Sequence, residues 1–360
     1  MKKIPFCDYK KLYLDYRQDY LNIFDQVASN GGFIMQKEKR DFEKELAEFI
    51  GCKYSIGVAN CTDALEIGWQ SIGLRKGDEV ICSSHTFIAT ASSIVMAGGI
   101  PVPVEIGEDN LIDPDAVSAA INSRTVGIMP TQLNGRTCNM DKIMSLADKY
   151  KLFVVEDSAQ ALGSKFKGKH SGTFGNVGAI SFYPAKVMGC FGDGGAVITN
   201  RNNLAKKIKH LANTAKIKHK WEYIHDNIGY NLKMPSLNAA LGLAQISKID
   251  IFLKAKRKLF YQYSKNFNNL IGIRIFREGK NLKSNYWLQT LILDNKYKNL
   301  KNKLLNFCYK KKIFIRPTWK LISNLKPYKK KQKMNLSGAK NIVDRAINLP
   351  SSQSLIINKS

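Results

Sequence analysis

The chain has 360 residues, 44% of them hydrophobic and 24% charged, a balance that excludes a disordered or fibrous protein and predicts enough buried surface for two lobes. Its seven cysteines, at positions 7, 52, 61, 82, 138, 190 and 308, are odd in number and show no C-x-x-C pair, which excludes a disulfide framework or zinc site and predicts free thiols and no metal. The net charge of +27 belongs to one half: residues 1–200 hold 21 Lys/Arg against 23 Asp/Glu, and residues 201–360 hold 35 against 6. Such a basic half suits an anionic partner, whether nucleic acid, a membrane surface or a phosphorylated small molecule, or is a solvated lysine-rich surface with no partner.

The opening MKKIPFCDYKKLYLDY starts basic but carries no apolar segment after it, and no run of about 18 apolar residues occurs anywhere, so a cytoplasmic protein is expected. Spaced apolar positions in FEKELAEFI and TDALEIGWQSIGL predict that residues 1–75 are mostly helical, closing at Lys76-Gly77-Asp78. Six short strand-like runs follow, at 79–84, 100–106, 125–130, 152–157, 178–183 and 195–200, separated by helix-like stretches at about 88–98, 114–122, 140–150 and 203–213. That alternation predicts an α/β layer with a largely parallel sheet. After about residue 235, SLNAALGLAQISKIDIFLKAKRKLFYQY predicts a long helical passage into a second, smaller and basic lobe.

In a parallel sheet, ligands gather at the carboxyl ends of the strands. Three polar groups sit at or beside such ends. In ANCTDALEIGW (59–69) a polar turn opens a helix, whose free N–H groups suit a phosphate; the alternative is that Thr62 merely caps the helix. In VVEDSAQALG (154–163) an apolar strand delivers Asp157, whose buried carboxylate requires a positive partner or caps the next turn. In SFYPAKVMGCFGDGG (181–195), Ser181 leaves a strand, Lys186 follows, and glycines permit close backbone approach.

Together these segments resemble the DegT/DnrJ/EryC1/StrS family of sugar aminotransferases, pyridoxal-phosphate (PLP) enzymes of aspartate-aminotransferase fold. The resemblance rests on GVANCTDALEIG, GDEVICSSHTFIATASSIVMAGGIPVPVEI, VVEDSAQALGS, SFYPAKVMGCFGDGGAVITN and GYNLKMPSLNAALGLAQ, with RPTW (316–319) and INLPSS (347–352) as closing segments. It implies PLP-dependent fold type I: a large domain over residues 1–245 with a mostly parallel seven-stranded sheet between helices, and a smaller α+β domain over 246–360, on which the first 20 or so residues pack.

The resemblance also implies roles. Lys186 would carry the cofactor covalently and then shuttle a proton as general acid and base. Asp157 would pair with the pyridine nitrogen, Gln160 would bond the ring hydroxyl, and Phe87 would stack on the ring where relatives often have Trp or Tyr. The phosphate would take the backbone of Cys61 and Thr62, the Thr62 and Ser181 hydroxyls, and Asn231 from a second subunit, which makes the expected assembly a homodimer. Cys61 stands where the family usually has glycine, and Lys233 and Ser236 where Arg and Glu are common.

The reaction implied is transfer of an amino group from L-glutamate to a nucleotide-linked 3-keto- or 4-keto-sugar, feeding lipopolysaccharide, capsule or another glycan. Arg316, Lys320 or Lys216–Lys220 could meet the substrate diphosphate, and His85 and His225 would face the pocket unless they are structural. The alternatives are a non-nucleotide keto-sugar (a keto-octulosonate or an inositol ketone) and, in another class, a regulatory or nucleic-acid-binding protein on the same scaffold. No helix-turn-helix, zinc-finger or RNA-binding signature favours the last.

Overall fold

The computed structural model describes residues 3–331 and 334–356. Seven five-residue strands make one sheet: β1 (Tyr54–Val58), β2 (Glu79–Ser83), β3 (Ile100–Val104), β4 (Thr125–Met129), β5 (Phe153–Asp157), β6 (Val177–Ser181) and β7 (Gly195–Thr199). Their order is β1-β7-β6-β5-β4-β2-β3. Pairings from β3 through β2, β4 and β5 to β6 are parallel, and β7 runs antiparallel to both β6 and β1. Every residue of β2, β6 and β7 is buried, because helices cover both faces. That is why these strands read as unbroken apolar runs and not as alternating ones.

Helices α1 (Tyr9–Asp15), α2 (Arg17–Ser29), α3 (Lys37–Ile50), α4 (Cys61–Ile72), α5 (Ile88–Met96), α6 (Pro114–Ala120) and α7 (Met140–Tyr150) fall before or between the strands, and α8 (Asn202–Ala212) follows β7. One core joins Leu65 of α4 and Ile208 of α8 to Val155, Val177 and Val197 of the sheet. Another sets Phe42 and Leu46 of α3 against Ile180, Ile198 and Leu241.

The first 75 residues depart from the mostly helical expectation at β1. Ser55 and Gly57 interrupt its apolar run, and Gly57 is kept small by Met234, whose sulfur would lie 3.1 Å from an added Cβ. The long helix expected after residue 235 is two, α9 (Ser236–Ile246) and α10 (Ile249–Phe267).

A second, antiparallel sheet contains β8 (Ile273–Ile275), β9 (Thr290–Leu293), β10 (Arg316–Pro317) and β11 (Ala346–Asn348) in the order β8-β9-β11-β10. Phe260 of α10 and residues Leu304 and Leu305 of α11 (Lys301–Lys310) pack on one side of it. Ala339 and Ile342 of α12 (Ser337–Val343) pack on the other. The N-terminal segment is tied in here: Phe314 N–H donates to the Ile4 carbonyl (3.0 Å) and Ser351 N–H to that of Phe6 (3.0 Å). All seven cysteines are free. Among the described residues no helix is long and apolar enough to cross a membrane, and no group of three or more His, Cys, Asp or Glu is placed to hold a metal.

Candidate active site

The ends of β5 and β6, the start of α4 and the start of α5 converge on a cavity of about 700 Å³. Cys61, Thr62, Phe87, Asp157, Gln160, Ser181 and Lys186 all line it. A second concavity, about 490 Å³, lies against Glu108, Asp109 and the residues around β8. It gathers no ends of the large sheet's strands, and Arg277 there donates to Ser264 (2.7 Å), so the chemistry belongs to the first.

Lys186 stands in the loop between β6 and β7. Phe182 N–H donates to Gly194 O (2.8 Å) and Cys190 N–H to Phe182 O (2.7 Å), pinching the loop at its base, while Lys186 N–H donates to Tyr183 O (2.8 Å). Its Nζ lies 3.8 Å from the centroid of the Trp287 ring. Among the described residues no carboxylate forms an ion pair with it. The side chain keeps some exposure to the cavity, but the surrounding protein desolvates the ammonium and pushes its pKa down to about 8, against the pull of Cys61, Asp157 and Asp193. A lysine so placed keeps a far larger share of its amine neutral and reactive near neutral pH than an ordinary lysine does.

Asp157, 3% exposed, accepts from Thr90 Oγ1 at 2.6 Å and from Ala159 N–H at 3.2 Å. Burial pushes its carboxyl above the ordinary range; the Thr90 and Ala159 bonds and the charge of Lys186 oppose this. The carboxylate therefore has two hydrogen bonds but, among the described residues, no ion-pair partner, and a protonated ring nitrogen in the cavity would supply one. Gln160 accepts through Oε1 from Asn134 N–H (2.7 Å), so its amide NH₂ is the group it can offer to the cavity.

The helix start is free to bind an anion. Asn60, not Thr62, is the cap: its Oδ1 accepts from Asp63 N–H (3.0 Å). Cys61 and Thr62 are the first two helical residues and have no intrahelical acceptor for their N–H groups. The Cys61 thiol is buried, which raises its pKa well above the usual value, so it lines the site uncharged. Gly195 starts β7 directly against this turn: an added Cβ would lie 2.5 Å from the Asn60 carbonyl and 2.7 Å from Cys61 N. Gly192 takes a φ of +88°. These two positions account for the first and last glycines of Gly-Asp-Gly-Gly, and at Gly194 an added Cβ would lie 3.1 Å from Cys190 Sγ. The amine, the carboxylate, the helix start and the exposed face of Phe87 (48% exposed) fit pyridoxal phosphate.

Other expected residues lie elsewhere. Asn231 is exposed and outside this cavity, its backbone bridged to Asn213. His85 is buried with Nδ1 2.6 Å from Asn110 Oδ1, and burial pushes its pKa down to about 4, so it is a neutral structural group. His225 sits on an exposed hairpin, bonded to the Thr214 carbonyl (2.7 Å); Lys216 is on the same hairpin. Lys320 is exposed and outside the cavity, whereas Arg316 is in its wall, 4.7 Å from the Phe6 ring.

Trp287, Trp319, Tyr9 and Thr90 were not expected. Trp319 stacks at 6.3 Å and 16° on Trp287 and lies 6.2 Å from Phe87, continuing an aromatic wall. Its only signal in the sequence was its place in RPTW; Trp287 had none.

The model of the DegT/DnrJ/EryC1/StrS aminotransferase family matches residues 15–358. A dTDP-3-amino-3,4,6-trideoxy-alpha-D-glucose transaminase from Streptomyces venezuelae is 35% identical over 75% of this chain and 71% of its own. A GDP-perosamine synthase from Vibrio cholerae is 33% identical over 90% and 87%. Among solved structures, S. venezuelae DesV in complex with a ketimine intermediate superposes with a TM-score of 0.92 at 29% identity, covering 99% of this chain and 96% of the other.

Proposed function

The chain belongs to the DegT/DnrJ/EryC1/StrS aminotransferase family, and from that premise we propose that it moves an amino group from L-glutamate to a nucleotide-linked 3-keto- or 4-keto-deoxysugar destined for a surface glycan. Its cofactor is pyridoxal 5'-phosphate. The observation that carries the reading is the meeting of the Lys186 amine, the buried Asp157 carboxylate and the open start of α4 in one cavity. The relatives act on dTDP- and GDP-linked sugars by name, which supports a nucleotide-linked acceptor.

When bound, the cofactor supplies an electron sink for negative charge developing at the donor carbon. The residues do the rest. Lys186 would anchor the cofactor, and its free neutral Nζ would take the proton from the donor carbon as general base and, as general acid, give it to the carbon that carried the lysine link. Asp157 holds a proton on the ring nitrogen by charge. The Cys61 and Thr62 N–H groups with the Thr62 and Ser181 hydroxyls bind phosphate. Phe87 covers one ring face. Arg316 at the cavity wall meets an anionic part of donor or acceptor. Asn231, exposed on this chain, completes the phosphate site of a second copy, so the working unit is a homodimer. Residues 1–245 form the cofactor lobe and 246–360 the smaller one, and the enzyme works in the cytoplasm.

The test is the visible absorption spectrum of the protein with pyridoxal phosphate. The band of lysine-linked cofactor is expected in the wild type, is expected to vanish on adding L-glutamate as the amino form accumulates, and is expected to be missing in Lys186→Ala, with transfer down by at least about 10³-fold. A wild-type band unaffected by glutamate would rule out this donor; no band in folded protein would rule out the enzyme reading.

A further inference from the structure

A second lysine is buried behind the first. Lys256, on α10, is 1% exposed, and among the described residues no carboxylate forms an ion pair with it. Its Nζ donates to the carbonyl of Trp287 at 3.1 Å and to that of Ser351. An apolar side chain of this length would fill the same space without the cost of desolvating an ammonium, so the charge has a task beyond packing.

The task is visible at Trp287. Lys256 grips its backbone carbonyl, its Nε1 donates to the carbonyl of Ala185 (2.7 Å), the neighbour of Lys186, and Trp319 stacks on its ring. The indole is therefore held from three sides, and the Lys186 amine rests 3.8 Å above it. Lys186 and Lys256 also line one small cavity of about 10 Å³ together with Cys7 and Gln353, which leaves room for one water at most. The charge of each lysine reaches the Cys7 thiol.

We propose that Lys256 is a positioning residue for the catalytic amine: by clamping the carbonyls of Trp287 and Ser351 it fixes the indole on which Lys186 rests. The inference rests on the cofactor role given to Lys186 above. Without the clamp Trp287 keeps its Ala185 bond and its Trp319 stack but loses its backbone anchor; the ring then shifts and the amine loses its aim at the cofactor aldehyde, where a displacement of about 1 Å is enough for a large rate loss.

The experiment compares two properties of Lys256→Met and Lys256→Arg against the wild type. One is the rate at which cofactor-free protein develops the lysine-linked band on mixing with pyridoxal phosphate. The other is the non-covalent affinity for pyridoxal phosphate, measured in the Lys186→Ala background. Lys256→Met is expected to slow attachment by about tenfold with affinity unchanged, because Lys256 touches none of the phosphate or ring contacts; Lys256→Arg, which keeps donors for both carbonyls, is expected to restore the rate. An unchanged attachment rate in folded Lys256→Met overturns the proposal, as does an equal fall in rate and affinity, the mark of general loosening. If Lys256→Met does not fold, Trp287→Leu breaks the next link: slowed attachment supports the proposal, and a wild-type rate overturns it. Failure of the wild type itself to attach cofactor would sink the functional reading instead.

Discussion

The floor and the wall of the cavity are built on different principles. The floor is the end of the large sheet, where Asp157 and the start of α4 sit among buried strands and Lys186 rises from a pinched loop. The wall comes from the second sheet and the N-terminal segment, with Arg316, Trp319 and Trp287 joined by Phe6 and Tyr9. Floor charges are desolvated, so each is shifted in pKa by its surroundings and each needs a defined partner. Arg316 is exposed, and its charge is screened by water. Changes at the floor should therefore alter chemistry, and changes at the exposed part of the wall, at Arg316, should alter which substrate is held; Trp287, whose ring lies 3.8 Å from the Lys186 amine, belongs with the floor in this respect.

Asp157→Asn is the sharpest way to break that division. The amide can still bond Thr90 but carries no charge for a ring proton, so transfer should fall by about 10²–10³-fold while bound cofactor and thermal stability change little; steady-state kinetics beside a melting curve decide it. Gly195→Ala attacks the floor sterically. Its Cβ would collide with the Asn60 carbonyl and Cys61 N, and the expected cost is about 1–3 kcal/mol in denaturant unfolding, together with weaker cofactor retention on dialysis. Arg316→Ala tests the wall: stability should stay within about 0.5 kcal/mol, while KM for an anionic substrate rises by about tenfold and becomes less sensitive to salt.

The smallest effect sharpens the electrostatic half of the comparison. The Lys186 amine sits at about 8, below the ordinary lysine value of 10.5, because burial disfavours its charged form. Its folded pKa is thus below its unfolded one, so the folded state sheds this proton first. The destabilising contribution of Lys186 is full below pH about 8 and fades as pH rises toward 10.5. The rate of cofactor attachment to the neutral amine should rise with the same folded midpoint, near pH 8. A midpoint at the ordinary value would show that the site does not desolvate Lys186.

The floor was legible in the sequence because its parts are local. A strand buried on both faces writes an apolar run, and the polar residue that ends or follows it is the one the sheet presents. Asp157 and Ser181 were visible for that reason, as were Thr62 and Lys186 from the turns that carry them. β1 was not, since Ser55 and Gly57 erase the run, and the room Gly57 leaves is taken by Met234, 177 positions later. The wall was legible only at Arg316 and, through RPTW, at Trp319; the rest was hidden for the same physical cause at longer range. Trp287 lies 101 positions from Lys186, and only the packing of the second sheet on the first brings its ring under the amine. Lys256 was one lysine among many in a basic half; its burial, and not its identity, sets it apart.

The measurement that tests the central claim most directly is reduction of the cofactor-loaded protein with borohydride, followed by peptide mapping of the labelled residue. The account predicts one label, on Lys186 in the peptide that contains SFYPAK, and none on Lys256 or on the exposed lysines. A label on Lys256, a scatter over surface lysines, or an unlabelled Lys186 in protein that retains the cofactor would contradict it.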